Sequence, residues 1–238
     1  MLEKFRIVVV SLYLILISGL ICLLYIFRPF HYPWAQMTGR IFGKGGLWLL
    51  GIKIEGEGLE ILKDLPSSVI IGNHQHNMDV FIFSSFFPPK CVTIGKKSLI
   101  KIPFFGQLYY LSGQIMIDRQ NKKNAWSAMS QASKKLVEHN LTVMILPEGT
   151  RSKGRGLLPF KRGAFQLAKE SNRQIIPIAV SDIFRNIDLN RWHAGTLKVK
   201  VLEPITLEIV QKKSPEELAK MAQEQYFEAL RDLNPIVA

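Results

Sequence analysis

The feature that most restricts this chain is a run of 21 residues, Ile7 to Phe27, that carries no charge and is apolar at nearly every position. About 20 such residues wound as a helix suffice to cross the hydrocarbon of a bilayer. A helix apolar on every face needs lipid or a large protein around it, and the 238 residues present suit one well-buried domain plus an appendage. The run is longer than a signal peptide's core and leads into Arg28-Pro29-Phe30-His31 rather than a small-residue cleavage site. It therefore reads as a retained membrane segment. Basic residues flank it on both sides, Lys4 and Arg6 before and Arg28, Arg40 and Lys44 after, so the positive-inside bias selects no spanning orientation. The expectation is a helix held in one leaflet, bent or lying along the interface with both flanks cytoplasmic, in preference to a simple span.

The formal charge of +12 is concentrated in one place. Between Lys90 and Arg173 there are 16 Lys or Arg against 4 Asp or Glu, whereas the rest of the chain holds 15 of each. Such a field attracts anionic lipid surfaces, phosphate groups, acidic carrier proteins or nucleic acid, and charge alone does not choose among them. The two cysteines are Cys22, inside the apolar run, and Cys91. No disulfide between them is expected, which fits a reducing compartment. His74 and His76 alone do not make a zinc site, and no metal or cofactor is expected.

Short apolar runs rich in β-branched residues recur at Val69 to Ile71, Val92 to Ile94, Ile115 to Ile117, Thr142 to Leu146, Ile175 to Val180 and Lys198 to Leu202, with helical stretches between them. That alternation predicts an α/β sheet. Asn121 to His139 reads as a helix with Trp126, Met129, Leu136 and Val137 inward, and Phe160 to Ser171 as another. Ser214-Pro215-Glu216-Glu217 opens a last helix that places Leu218, Met221, Tyr226, Phe227, Leu230 and Leu233 mostly along one stripe. The Gly and Pro density between Arg28 and Gly58 marks a connection, with a short amphipathic helix around Thr38 to Leu50. The expected division is a membrane-anchoring segment, 1–50, and a catalytic domain, 51–238.

Four segments are candidates for chemistry. Val69 to Asp79 runs from a buried strand through a polar turn into an apolar helix, with His74 at the strand's carboxyl end, where open α/β sheets place their sites. A helix capped at Asn77 would fold the Asp79 carboxylate back onto one imidazole nitrogen of His74, leaving the other to take a proton from a hydroxyl. His76 competes for Asp79 but lacks the strand-end position. Leu146-Pro147-Glu148-Gly149-Thr150-Arg151-Ser152 follows a strand directly; Gly149 permits close backbone approach, and Thr150 and Arg151 offer a hydroxyl and a guanidinium suited to phosphate oxygens. Gly113 to Arg119 is a strand ending in Asp118 and Arg119. Ile176-Pro177 puts a proline in a strand, which predicts an edge or an abrupt start.

Together these four blocks, in this order over about residues 70 to 205, resemble the 1-acylglycerol-3-phosphate acyltransferase family, its bacterial members in particular. The resemblance implies that His74 and Asp79 are the catalytic pair, and that Lys96, Arg119, Glu148, Gly149, Thr150 and Arg151 belong to the substrate site. Lys96 falls on a basic residue that holds the acceptor phosphate; Leu146 stands where the family often has Phe. The implied fold is a mixed, largely parallel sheet flanked by helices, preceded by a membrane helix or helical hairpin, with the site facing the membrane surface. The implied partners are lysophosphatidic acid, acyl-CoA or acyl carrier protein as acyl donor, and anionic membrane lipids. The catalytic domain is expected on the cytoplasmic face of the cytoplasmic membrane. Glu148 either orients its turn or binds acceptor hydroxyls, and backbone N–H groups near Gly72 to Gln75 or in the 149 to 151 turn are candidate oxyanion donors. A sister enzyme acting on glycerol 3-phosphate or another lysophospholipid shares the same residues. A hydrolase lacks a G-x-S-x-G turn. A nucleic-acid-binding module would explain the basic segment but leaves His74 and Asp79 without a purpose, so no nucleic-acid partner is expected.

Overall fold

The computed structural model describes residues 1–117 and 122–234. The apolar run is contained in one helix, α1 (Leu2–Phe27), and a second, α2 (Pro33–Leu50), follows after a short turn. Pro33 opens α2, where its missing N–H costs nothing. Gly51 closes it at φ 69°, its N–H bonded to the carbonyls of Leu47 and Trp48.

Among the described residues seven strands form one sheet: β1 (Ile52–Glu57), β2 (Val69–Gly72), β3 (Cys91–Lys96), β4 (Ile115–Ile117), β5 (Thr142–Ile145), β6 (Ile175–Val180) and β7 (Gly195–Val201). Their spatial order is β1-β7-β6-β2-β5-β3-β4. Every neighbouring pair is parallel except β6 with β7, so the sheet is mixed and largely parallel. β1 is the strand the sequence pattern did not announce. It lies at the edge and buries little beyond Ile52, so its apolar signal is weak. Pro177 is the opposite case. β6 is interior and buried throughout, which corrects the expectation of an edge strand. The proline is tolerated because it sits where β7 is ending: its carbonyl accepts from Leu202 N at 2.9 Å, just past Val201.

The remaining helices are α3 (Asp79–Ser84), α4 (Phe105–Leu111), α5 (Lys122–Glu138), α6 (Gly163–Ser171), α7 (Ile183–Asn186), α8 (Leu207–Lys212) and α9 (Pro215–Leu233). Strand residues alternate between two layers. Val69 and Ile71 join Leu136 of α5, Phe165 of α6, Val210 of α8 and Tyr226 of α9. Ile70 faces the other way, with Leu47 of α2, Phe81 to Phe83 of α3 and Ile183 of α7. Two residues expected inward do not point there: Val137 and Phe227 are 53% and 50% exposed, and Phe227 falls outside the stripe formed by Leu218, Ala222, Tyr226 and Ala229. Trp126 lies outside the residues whose side chains are described. The Ser214 signal is realised as a capping box, with Ser214 Oγ accepting from Glu217 N at 3.2 Å and the Glu217 carboxylate accepting from Ser214 N at 2.8 Å.

The glycines of α2 are a packing face rather than a connection. A Cβ on Gly43 would lie 2.2 Å from Ser85 N, and one on Gly46 2.2 Å from the Phe81 ring, so only glycine lets the α2 backbone rest on α3. The first helix is fastened along its whole length. Near its start the Arg6 guanidinium donates to the carbonyls of Leu189 (3.2 Å), Arg191 (2.7 Å) and Trp192. In its middle Tyr13 Oη donates to Ile41 O at 2.7 Å. At its far end Ile21, Cys22 and Tyr25 are buried with Phe42 and Leu108. Its outer side leaves Val8, Leu12, Leu16, Leu20, Leu23 and Phe27 exposed.

Candidate active site

The site follows from the direction of the strands. β2, β5, β3 and β4 are parallel neighbours, so their carboxyl ends lie along one edge of the sheet, the position favoured for ligand sites in open α/β folds. β2 delivers His74, β5 delivers the Glu148 to Arg151 turn, and β3 ends at the exposed Lys96. β4 points the same way, but Asp118 and Arg119 beyond it lie outside the described residues.

His74 Nδ1 lies 2.6 Å from Asp79 Oδ2. The same oxygen accepts the backbone N–H of Gln75 at 2.7 Å and of His76 at 3.0 Å. An oxygen that accepts two backbone N–H groups suits a donor at Nδ1 as well, and in the neutral ring that tautomer makes Nε2 the acceptor. The His74 side chain keeps 19% of its surface exposed while that of Asp79 keeps 4%: the imidazole is reachable and the carboxylate is not. The helix begins one residue later than expected, with Met78 at the cap position and Asp79 in the first turn. The folding back of the carboxylate is as anticipated.

His76 is not an equivalent candidate. Its ring stands edge-on to Phe184 at 5.7 Å, its Nδ1 accepts from Met78 N at 3.3 Å, and only its backbone meets Asp79. Burial lowers its pKa from the ordinary imidazole value, Arg151 adds to that, and Asp79 opposes it.

The turn bearing His74 is gripped from three sides. Glu148 is buried, its Oε1 accepting from His74 N at 2.5 Å and its Oε2 from Leu158 N at 3.0 Å. Burial raises its pKa, and these two backbone donors act against that rise. Of the two roles open to Glu148, its contacts match the orienting one. Ser152 N donates to His74 O at 2.8 Å, and Lys153 N to Gln75 O at 3.2 Å. On the far side, Asn73 exchanges two hydrogen bonds of 2.9 Å with Val180, and Gln75 bonds the carbonyls of Val180 and Ser181 and the N–H of Ile183 at 3.0 to 3.1 Å. Sequence reasoning passed over Asn73 and Gln75. The available signal is two amides flanking a histidine at the exit of an apolar strand, where buried amides must find partners.

The Arg151 guanidinium donates to Asn77 Oδ1, so the two loops touch beside His74, and Thr150 is exposed. Gly149 has φ 69°, and a Cβ there would come within 2.8 Å of Lys161 Nζ. That places a further ammonium against the turn. Cys91 is fully buried in β3, burial pushes its thiol pKa up, and neither cysteine is in a disulfide.

The arrangement is a partly exposed imidazole bonded to a buried carboxylate, beside a turn that carries Arg151 and has Lys161 Nζ against it. It suits proton removal from a hydroxyl next to an anionic group. A family model described as Acyltransferase matches residues 53–181, over half of the chain. A 1-acyl-sn-glycerol-3-phosphate acyltransferase of Haemophilus influenzae is 38% identical over 86% of this chain and 83% of its own length. One of Escherichia coli is 36% identical over 100% of this chain and 97% of its own. The crystal structure of a 1-acyl-sn-glycerophosphate (LPA) acyltransferase from Thermotoga maritima superposes with a TM-score of 0.77 at 23% identity, covering 99% of each chain, and so shares the fold. With the family model spanning more than half the chain and relatives matching nearly all of it, this chain belongs to the 1-acyl-sn-glycerol-3-phosphate acyltransferase family.

Proposed function

We propose that the chain transfers a fatty acyl group from an acyl thioester to the sn-2 hydroxyl of 1-acyl-glycerol 3-phosphate, giving phosphatidic acid. The observation that carries this reading is the 2.6 Å bond between His74 and Asp79, which leaves Nε2 as an acceptor on the ligand edge of the sheet. Nε2 takes the hydroxyl proton as that oxygen attacks the thioester carbonyl. The tetrahedral adduct then collapses, the C–S bond breaks, and the imidazolium returns the proton to the departing sulfur. A positioned base supplies about 10² to 10⁴ in rate; the remainder comes from orienting the substrates and stabilising the oxyanion. The scheme calls for no cofactor, and acyl-CoA and acyl carrier protein both present the required thioester. The direct test measures transfer from labelled acyl thioester to lysophosphatidic acid by the purified protein. Lysophosphatidylcholine and glycerol 3-phosphate serve as competing acceptors. Preference for either competitor would reassign the substrate.

No acyl-enzyme enters this scheme. Cys91→Ala should therefore leave turnover within a few-fold of the parent, consistent with a fully buried thiol. An acyl group trapped on Cys91 during turnover would overturn direct attack.

Arg151, Lys96 and Arg119 are assigned to the acceptor phosphate, with Gly149 and Thr150 forming the turn that receives it. Arg151→Ala should raise the KM for lysophosphatidic acid about tenfold or more, since a charge-assisted hydrogen bond contributes roughly 1.5–3 kcal/mol. The KM for the thioester should move less. A change confined to the donor KM would move Arg151 to the thioester side.

Residues 1–50 are assigned to membrane anchoring and 51–238 to catalysis. A 26-residue helix is about 39 Å long, yet α1 touches the catalytic unit at both ends, so a simple span would carry that unit into the bilayer with it. Its exposed apolar side, together with the exposed Trp48 and Trp192, suits shallow insertion into a cytoplasmic leaflet rich in anionic lipid. Cysteines introduced at Leu2 and at the exposed Lys212, in a Cys22→Ala and Cys91→Ala background, should be modified by an impermeant maleimide from the same side of sealed vesicles. Modification from opposite sides would establish a span.

A further inference from the structure

The backbone donors around His74 can be accounted for one by one. In the turn itself three are committed to carboxylates: His74 N to Glu148 Oε1, Gln75 N and His76 N to Asp79 Oδ2. A donor already facing a carboxylate cannot be lent to a second anion, so these three groups are unavailable to a developing oxyanion. That removes His74 and Gln75 from the expected donors.

The opposite segment differs. Gly149 N donates to Leu146 O at 3.0 Å, Ser152 N to His74 O at 2.8 Å and Lys153 N to Gln75 O at 3.2 Å. Between them lie Thr150 and Arg151, whose backbone N–H groups have no protein acceptor among the described residues. Their position is tightly bounded. Glu148 holds the nitrogen of His74 through its carboxylate, and Ser152 holds the carbonyl of the same residue through its N–H. Thr150 and Arg151 therefore form the bridge between two residues that both grip the backbone of His74, each within two Cα steps, about 7.6 Å, of such a grip. Gly149 in the left-handed region turns the chain at the start of this bridge, and Lys161 Nζ lies against it.

Resting on the acyl-transfer reading, we propose that the backbone N–H groups of Thr150 and Arg151 form the oxyanion hole of the reaction. When the acceptor oxygen attacks, the carbonyl π pair moves onto the thioester oxygen, and these two donors receive it while Nε2 of His74 holds the proton. On collapse that pair re-forms the carbonyl and the thiolate leaves with the proton. The side chains of the same two residues remain assigned to the acceptor phosphate, so one three-residue turn would serve both anions from its two surfaces.

The test must remove an N–H without touching a side chain. Thr150→Val and the same position carrying 2-hydroxyisovalerate, introduced by nonsense suppression, differ only in an amide N–H exchanged for an ester oxygen. Arg151→Leu and 2-hydroxyisocaproate form the matching pair one residue on. The ester should lower kcat about 10²- to 10³-fold relative to its amide partner, as loss of one oxyanion donor does. The KM for lysophosphatidic acid should stay within a few-fold. A raised acceptor KM with kcat preserved would show that these N–H groups bind the phosphate instead, and unchanged kcat at both positions would also overturn the proposal. Failure of both esters to fold counts against it too, because an N–H without a protein acceptor should be dispensable for folding. Were the acyl-transfer reading itself wrong, the unaltered protein would show no transfer to lysophosphatidic acid, a separate outcome.

Discussion

His74→Ala should lower the rate of acyl transfer by about 10²- to 10⁴-fold, the range supplied by a positioned general base, with little loss of stability. The contrast follows from how the residue is held. Its backbone N–H and carbonyl are bonded to Glu148 and Ser152, and neither bond involves the ring. The turn should therefore keep its shape once the imidazole is gone. The measurement is steady-state transfer to lysophosphatidic acid beside the thermal midpoint of the same preparation. A folded His74→Ala protein retaining a substantial share of parental kcat would refute the assignment of the base.

Changes at Asp79 should separate two roles that coincide in one oxygen. Asp79 Oδ2 accepts from the His74 ring and from two backbone N–H groups. In Asp79→Asn a carbonyl oxygen can occupy that place and keep all three donors satisfied, but the negative charge that stabilises the imidazolium is lost. Activity should fall about 10³-fold or more, as when the orienting carboxylate of a catalytic histidine is neutralised elsewhere, while the fold persists. Asp79→Ala removes the acceptor altogether and leaves the N–H groups of Gln75 and His76 without a partner. Each unsatisfied buried donor costs about 1–3 kcal/mol, so this variant should lose stability as well as turnover. Denaturant unfolding of the parent, Asp79→Asn and Asp79→Ala proteins reads the difference directly. Equal stability of the two variants would mean that the backbone donors find acceptors elsewhere.

What is legible in the sequence is what repeats at short range. Six of the seven strands announce themselves because their buried positions require apolar, β-branched residues; β1 does not, since it buries little beyond Ile52. The pairing of His74 with Asp79 is legible for the same reason: five residues at the exit of a strand span one turn, and a turn is local. So is the capping box at Ser214. Order within the sheet is not local. Pro177 predicts an edge or an abrupt start, and the edge is wrong because which strands flank a proline depends on where the chain returns later, not on the proline. The glycines of α2 read as a connection until α3 lies across them.

The membrane segment and the site divide in the same way. Length and absence of charge determine that Ile7 to Phe27 is a helix seeking an apolar environment. That Arg6 is spent on the carbonyls of Leu189, Arg191 and Trp192, tying the start of that helix to a loop more than 180 residues away, is decided only by the fold. Likewise Glu148 and Arg151 stand out as polar residues after a strand, but the sequence does not say that Glu148 faces inward to the nitrogen of His74. Hydrogen-bond donors and acceptors are identical along any backbone. Which of them are consumed and which are left for a substrate is settled only when β2 and β5 lie side by side and their two loops close on each other.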